Sequence, residues 1–121
     1  FLLNLQYGDM SQDIAELETD LGRGIATFSN IDNFAHLELF AALIQACDRV
    51  VSIDNSTVHF AGAMGIKCDV LLPFSSDWRW GLPGDASSYW YDSLCLHWQD
   101  EPNNWATAFE SLKKELSFIN Q

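Results

Sequence analysis

The sequence predicts an α/β fold, a three-layer sandwich with a mainly parallel sheet and helices on both faces. Three observations predict it. Apolar residues alternate between the two-residue period of strands and the 3.6-residue period of helices in a regular order along the chain. The strand segments are runs of Val, Ile and Leu that cannot leave either face in water, as in a covered parallel sheet. Finally, the apolar run ending at Ile53 meets Asp54 and then at once the small polar residues Asn55, Ser56 and Thr57, which open a helix.

The elements follow in order. Leu2 to Tyr7 reads as a strand ending at Gly8-Asp9, and Met10 to Leu21 as a poorly patterned helix or loop. Gly24 to Phe28 is the next strand. Phe34 to Cys47 carries Phe34, Leu37, Phe40, Ala41, Ile44 and Cys47 at helical spacing, with Asp32 or Asn33 placed to cap it. Arg49 to Ile53 is a buried strand, Ser56 to Met64 a short helix, and Gly65 its stop. Cys68 to Leu72 is a fourth strand, closed by Pro73. From Phe74 to Ser93 the pattern breaks into a loop whose Trp78, Trp80, Tyr89, Trp90 and Tyr91 argue for order, since aromatic side chains of this size are driven out of water. Leu94 to Trp98 is a fifth strand, and Trp105 to Ile119 an amphipathic helix with Trp105, Phe109, Leu112 and Leu116 along one stripe.

The 121 residues make one domain with a real core. The chain starts at Phe1 directly on a strand pattern, and we read it as a piece of a longer protein. No apolar run approaches the roughly 20 residues of a membrane span, which predicts a cytoplasmic domain. A net charge of −11 argues against nucleic acid, because that affinity comes largely from Lys and Arg displacing phosphate counterions. A single diphosphate can still be held by backbone N–H groups and one or two local cations. Cys47, Cys68 and Cys95 are odd in number, widely spaced and apolar in setting, which fits reduced core thiols.

The junction at Asp54 is where chemistry is expected. The first turn of a helix has N–H groups without intrahelical partners and a partial positive charge, so a phosphate is a natural occupant. Ser56 and Thr57 can add hydroxyl donors, and His59, one turn in, can bond a phosphate or lock the helix start. A plain N-cap role for Asn55 or Ser56 is the alternative. Asp54 orders the junction; a carboxylate beside a diphosphate would repel it. Gly8 sits where backbone can approach a ligand closely or simply turn. Asp32 can accept from a ribose hydroxyl or cap the following helix. Arg79, the lone cation of the aromatic loop, can pair with phosphate while a Trp stacks on base or sugar, or it can pair with Asp77. No Asp-x-Asp pair or His/Cys cluster suggests a metal.

The stretch Asp54, Asn55, Ser56, His59, Ala61, Ala63 and Gly65, continuing into Val70-Leu71-Leu72-Pro73, resembles the donor-binding half of GT-B glycosyltransferases. The likeness is to the heptosyltransferase-like proteins and to the glycosyltransferase domains that follow tetratricopeptide repeats. It extends through Asp77-Trp78-Arg79-Trp80, Trp90-Tyr91 and Leu96-His97-Trp98-Gln99, and so over most of the chain. Two departures are Ser56 in place of glycine, and His97-Trp98 in place of a Phe-Arg pair. The resemblance implies a Rossmann-like domain that binds a nucleotide-diphosphate sugar as donor substrate, without cofactor or metal, at Gly8, Asp32, Asn55, Ser56, Thr57, His59 and Arg79. It also implies a missing N-terminal domain bearing the acceptor site and catalytic base. The catalytic residues are therefore unknown and the isolated chain is expected to be inactive. With that domain absent, Trp78 and Trp80 are expected on an exposed surface that allows self-association. The alternative is a noncatalytic interaction domain that keeps the fold.

Overall fold

The computed structural model describes residues 1–117, and the chain is α/β with only parallel strand pairing between its named strands. The strands form two hydrogen-bonded sheets, of two and three strands, where the sequence suggests one sheet of five. The chain divides into two compact units, residues 1–43 and 44–121.

In the first unit β1 (Leu2–Leu3) pairs with β2 (Ile25–Ala26), Leu2 opposite Ile25 and Leu3 opposite Ala26. Both strands are shorter than the apolar patterns. One further ladder bond, from the Asn4 N–H to the Ala26 carbonyl at 2.8 Å, ends the pairing. The ambiguous stretch between them is a helix, α1 (Ser11–Leu21), stopped by Gly22 at φ 64°. It buries no residue, which explains its weak apolar pattern. Its Glu18 carboxylate accepts from the Ile25 N–H at 2.6 Å and ties the helix to β2.

The next helix, α2, runs Leu37–Gln45 rather than from Phe34, and its last residues open the second unit. The later start has a local cause. The Asp32 carboxylate accepts from the N–H groups of Phe34 (2.7 Å) and Ala35 (2.8 Å), and its carbonyl accepts from His36 at 2.8 Å. That turn leaves Phe34 68% exposed, outside the buried stripe of Phe40 and Ile44.

The second unit is built on β3 (Val50–Ile53), β4 (Cys68–Leu72) and β5 (Leu94–Trp98), parallel and in that order. Val50 lies opposite Cys68, and Cys68 opposite Leu94. All five residues of central β4 are buried, as a strand covered on both faces requires. The helix α3 (Ser56–Ala63) crosses from β3 to β4, and Gly65 follows it at φ 72°. The last helix, α4 (Ala106–Ser117 among the described residues), packs on β4 and β5. The remainder of the expected helix, to Ile119, lies outside the described residues. Leu71, Ala108 and Leu112 are buried together, with Trp105 and Leu116 against them. Phe109 falls off the expected stripe and is 54% exposed.

The segment 73–93 is ordered around a 3-10 turn, Trp78–Trp80. Its Ala86 carbonyl accepts from the Leu96 N–H at 2.9 Å and Ser87 bridges Cys95, which covers the free edge of β5. Among the described residues no helix is long and apolar enough to cross a membrane.

Candidate functional site

The β3–α3 junction is a capped helix start. Asn55 holds extended backbone, and its side-chain oxygen accepts from the Thr57 N–H at 2.9 Å. The Ser52 hydroxyl lies 3.2 Å from the same Asn55 oxygen and anchors it to β3. Asn55 thus fills the capping role that the sequence leaves open between it and Ser56. Ser56 is exposed at the first position of the helix, while the N–H groups of Thr57 and Val58 are bonded to the Asn55 side chain and carbonyl. Thr57 is only 8% exposed, which places it with Val58 and Ala61 on the buried side of α3.

His59 faces the aromatic loop. Its Nδ1 lies 3.1 Å from the Tyr91 hydroxyl, and its ring stacks on Trp80 with centroids 5.3 Å apart. Those contacts make it the joint between α3 and the loop. Asp77 caps the 3-10 turn by accepting from the Arg79 N–H at 3.0 Å, and its other oxygen is 3.1 Å from Arg79 Nη2. The guanidinium also lies over the Trp78 ring at 5.8 Å. Asp77 and Arg79 are therefore paired, and half of the Arg79 side chain remains in solvent.

The two indoles of Asp77-Trp78-Arg79-Trp80 divide. Trp78 is 72% exposed and meets Trp90 edge to face at 6.1 Å. Trp80, expected on the same surface, is wholly buried, which corrects that expectation. The turn itself is the reason: residues two apart on a tight 3-10 turn point to different sides, and Trp80 takes the side that meets the His59 ring of α3. Tyr89 and Trp90 extend the exposed aromatic surface.

Gly8 and Asp32 belong to the first unit. They line a cleft of about 720 Å³ at the C-terminal ends of β1 and β2, with Asn4, Tyr7, Ser11 and Ser29. Gly8 has φ 87°, a turn conformation that suits glycine, and Asp9 Oδ1 accepts from the Ser11 N–H at 3.0 Å at the start of α1. The two backbone N–H bonds hold the Asp32 carboxyl below its usual range, so it is the helix-entry cap that the sequence allowed.

The densest polar cluster was not anticipated. Asp69 is wholly buried on β4, accepts from Arg49 through Nε and through Nη2 (2.9 Å), and lies 2.8 Å from His97 Nε2 on β5. His97 Nδ1 lies 2.8 Å from the Ser111 hydroxyl on α4, and Arg49 also reaches Glu115 at 3.4 Å. Burial pushes the Asp69 carboxyl up, but the bonds from His97 and Arg49 together outweigh it and hold the group below its usual range. The signal was present: Asp69 interrupts an otherwise apolar strand, and a buried charge requires partners.

Comparison with known proteins gives one informative similarity. The chain is 38% identical over 92 residues to the protein FlbA of Caulobacter vibrioides, a stretch that covers 76% of this chain. The chain spans only 15% of the length of FlbA. No family model and no solved structure matches.

Proposed function

We propose that the chain is the nucleotide-sugar-binding domain of a glycosyltransferase of the heptosyltransferase-like or repeat-associated GT-B type, acting as part of a larger protein. The supporting observation is the β3–α3 junction, where Ser56 sits exposed at the first position of a helix just past the end of a parallel strand. In this reading the donor diphosphate lies at Ser56, where developing charge on the leaving group would meet the helix dipole and a hydroxyl. Arg79, half exposed in the aromatic loop, contributes the local cation. Cytoplasmic placement belongs to the same proposal and suits cysteines that are odd in number and widely spaced in the sequence.

A second reading, a noncatalytic interaction domain, has an observation of its own. The Thr57 N–H is taken by Asn55, His59 by Tyr91 and Arg79 by Asp77, while Trp78, Tyr89 and Trp90 stand in solvent. Calorimetric titration with adenosine, guanosine and uridine diphosphates separates the two. Binding that weakens by about 1 to 3 kcal/mol in Ser56→Ala supports the donor site. Silence across all three with a folded chain supports the interaction domain.

A further inference from the structure

The side chains that tie α4 to β4 and β5 form a hydrogen-bonded line with one end in solvent. Asp69 is wholly buried and His97 is 4% exposed, whereas Ser111 is exposed. The proton positions follow from the partners. Asp69, held as a carboxylate by Arg49, can only accept, so His97 donates its Nε2–H to it across 2.8 Å. In the neutral ring Nδ1 then carries a lone pair. Its bond with Ser111 at 2.8 Å is one in which the serine O–H donates. A hydroxyl, a histidine that can take its proton and a carboxylate that fixes the tautomer is the arrangement that activates serine in acyl transfer, here with the two ring nitrogens in exchanged roles.

We propose that Ser111 is a base-assisted nucleophile that takes an acyl group from an activated ester, with His97 as the base and Asp69 and Arg49 as positioning residues. The Ser111 oxygen bonds to the ester carbonyl carbon, and the bond from that carbon to the leaving oxygen breaks. The serine proton passes to His97 Nδ1 and from there to the leaving oxygen. The products are an O-acyl serine and an alcohol, so no further reactant is needed. Ser111 sits inside α4, where N–H groups are bound to carbonyls one turn back, and no backbone amide is free to stabilise a tetrahedral oxyanion. Attack by Ser111 and hydrolysis of the product then both rely on the base alone, and the O-acyl serine makes Ser111 a modification site. This inference is independent of nucleotide binding at α3.

The test treats the full chain with p-nitrophenyl acetate at neutral pH and maps acetylation by peptide mass spectrometry. Ser117, exposed on the same helix and donating to the Lys114 carbonyl at 2.7 Å with no histidine partner among the described residues, is the internal control. Ser111 should be acetylated roughly 100-fold faster than Ser117, the lower range for general-base assistance. In a folded His97→Gln chain that advantage should vanish while acetylation of Lys113 and Lys114 is unchanged. Equal rates at Ser111 and Ser117 in the unaltered chain would overturn the proposal, and so would an undiminished Ser111 rate in folded His97→Gln.

Discussion

Gly62 of α3 lies directly against the ring of Tyr91: a methyl group at this position would stand 2.7 Å from Cδ2 and 2.8 Å from Cδ1. The glycine therefore sets how closely the aromatic loop approaches the helix, and it does so beside the His59–Tyr91 hydrogen bond. Two effects oppose each other in Gly62→Ala. Helix propensity favours alanine by about 1 kcal/mol, whereas overpacking costs about 1 to 3 kcal/mol. An aromatic ring gives way less easily than a flexible chain end, so the clash wins. Urea unfolding should show a net loss of stability of up to about 2 kcal/mol. A stabilised Gly62→Ala chain would mean that Tyr91 swings aside freely.

The Asn55 cap gives a second expectation. Its side chain satisfies one N–H that α3 cannot, and alanine leaves that donor to water at a cost of about 1 kcal/mol. Asn55→Asp should hold the cap, add favourable charge at the helix start and match the unaltered chain in urea. The same Asp would repel a diphosphate at Ser56. A folded Asn55→Asp chain with weakened nucleoside diphosphate binding therefore fits the donor reading, and unchanged affinity counts against it.

Asp69 should govern acid stability. Its folded pKa is depressed, so its contribution is present above the unfolded carboxylate value, near 3.8, and is lost as pH falls through the lower folded value. At neutral pH Asp69→Asn leaves Arg49 with the partly exposed Glu115 as its one acidic partner among the described residues and should cost about 3 kcal/mol, the lower end for breaking a buried pair. The gap between the two chains should close below about pH 4, because protonation removes the same charge from the unaltered protein. A gap that stays constant into acid would assign the loss to packing instead.

The thiols report on both faces of the sheet, since Cys95 lies opposite Asp69 in register whereas Cys68, one residue earlier on β4, points to the other face. Burial pushes the Cys68 thiol up to about 12, and burial also raises Cys47 and Cys95. The thiolate is the reactive form, so labelling by an aromatic disulfide near pH 8 should be slow for all three and slowest at Cys68. Cys68 should react only at the rate of unfolding, and urea should make it as fast as the others. Rapid native labelling at Cys68 would place it outside the core.

Most of the second unit was legible because β4 and β5 carry a nearly unbroken apolar signal, although β3, expected to be buried, leaves Val51 and Ile53 about half exposed at the edge of the sheet. Cys68 to Leu72 and Leu94 to Trp98 have the expected bounds, and β3 begins one residue later than expected. Fully covered strands must be apolar at nearly every position, and the flanking Lys67, Pro73 and Ser93 are visible against them. The first unit was less legible. Its strands pair over two residues each, and local side-chain bonds from Asp9 and Asp32 decide where its helices start. Such bonds depend on a few tenths of an ångström, which no apolar period records. The Arg49–Asp69–His97–Ser111 line was hidden for another reason. Its members are 14 to 66 residues apart from their partners in sequence, counting Glu115, and the pairing of β3, β4 and β5 together with the packing of α4 on that sheet brings them together.

The division of the two indoles leads to the last prediction. Trp80 is wholly buried and stacked on His59, whereas Trp78 is 72% exposed against Trp90. Trp80→Ala should cost about 3 to 5 kcal/mol through the cavity that it leaves. Trp80→Phe should cost much less, because the Trp80 indole N–H is buried without a hydrogen-bond partner among the described residues and phenylalanine removes that liability. Trp78→Ala should change stability by no more than about 0.5 kcal/mol, as expected of an exposed side chain. Its effect belongs to the surface: with Trp90, Tyr89 and Leu82 it forms an apolar patch on a chain of net charge −11. Acrylamide, being neutral, is the quencher to use, since iodide is repelled by that charge. Trp78→Phe should remove a large part of the acrylamide-quenchable emission and Trp80→Phe almost none. If the two variants lose equal quenching, the loop opens in solution and the contact between His59 and Trp80 is transient.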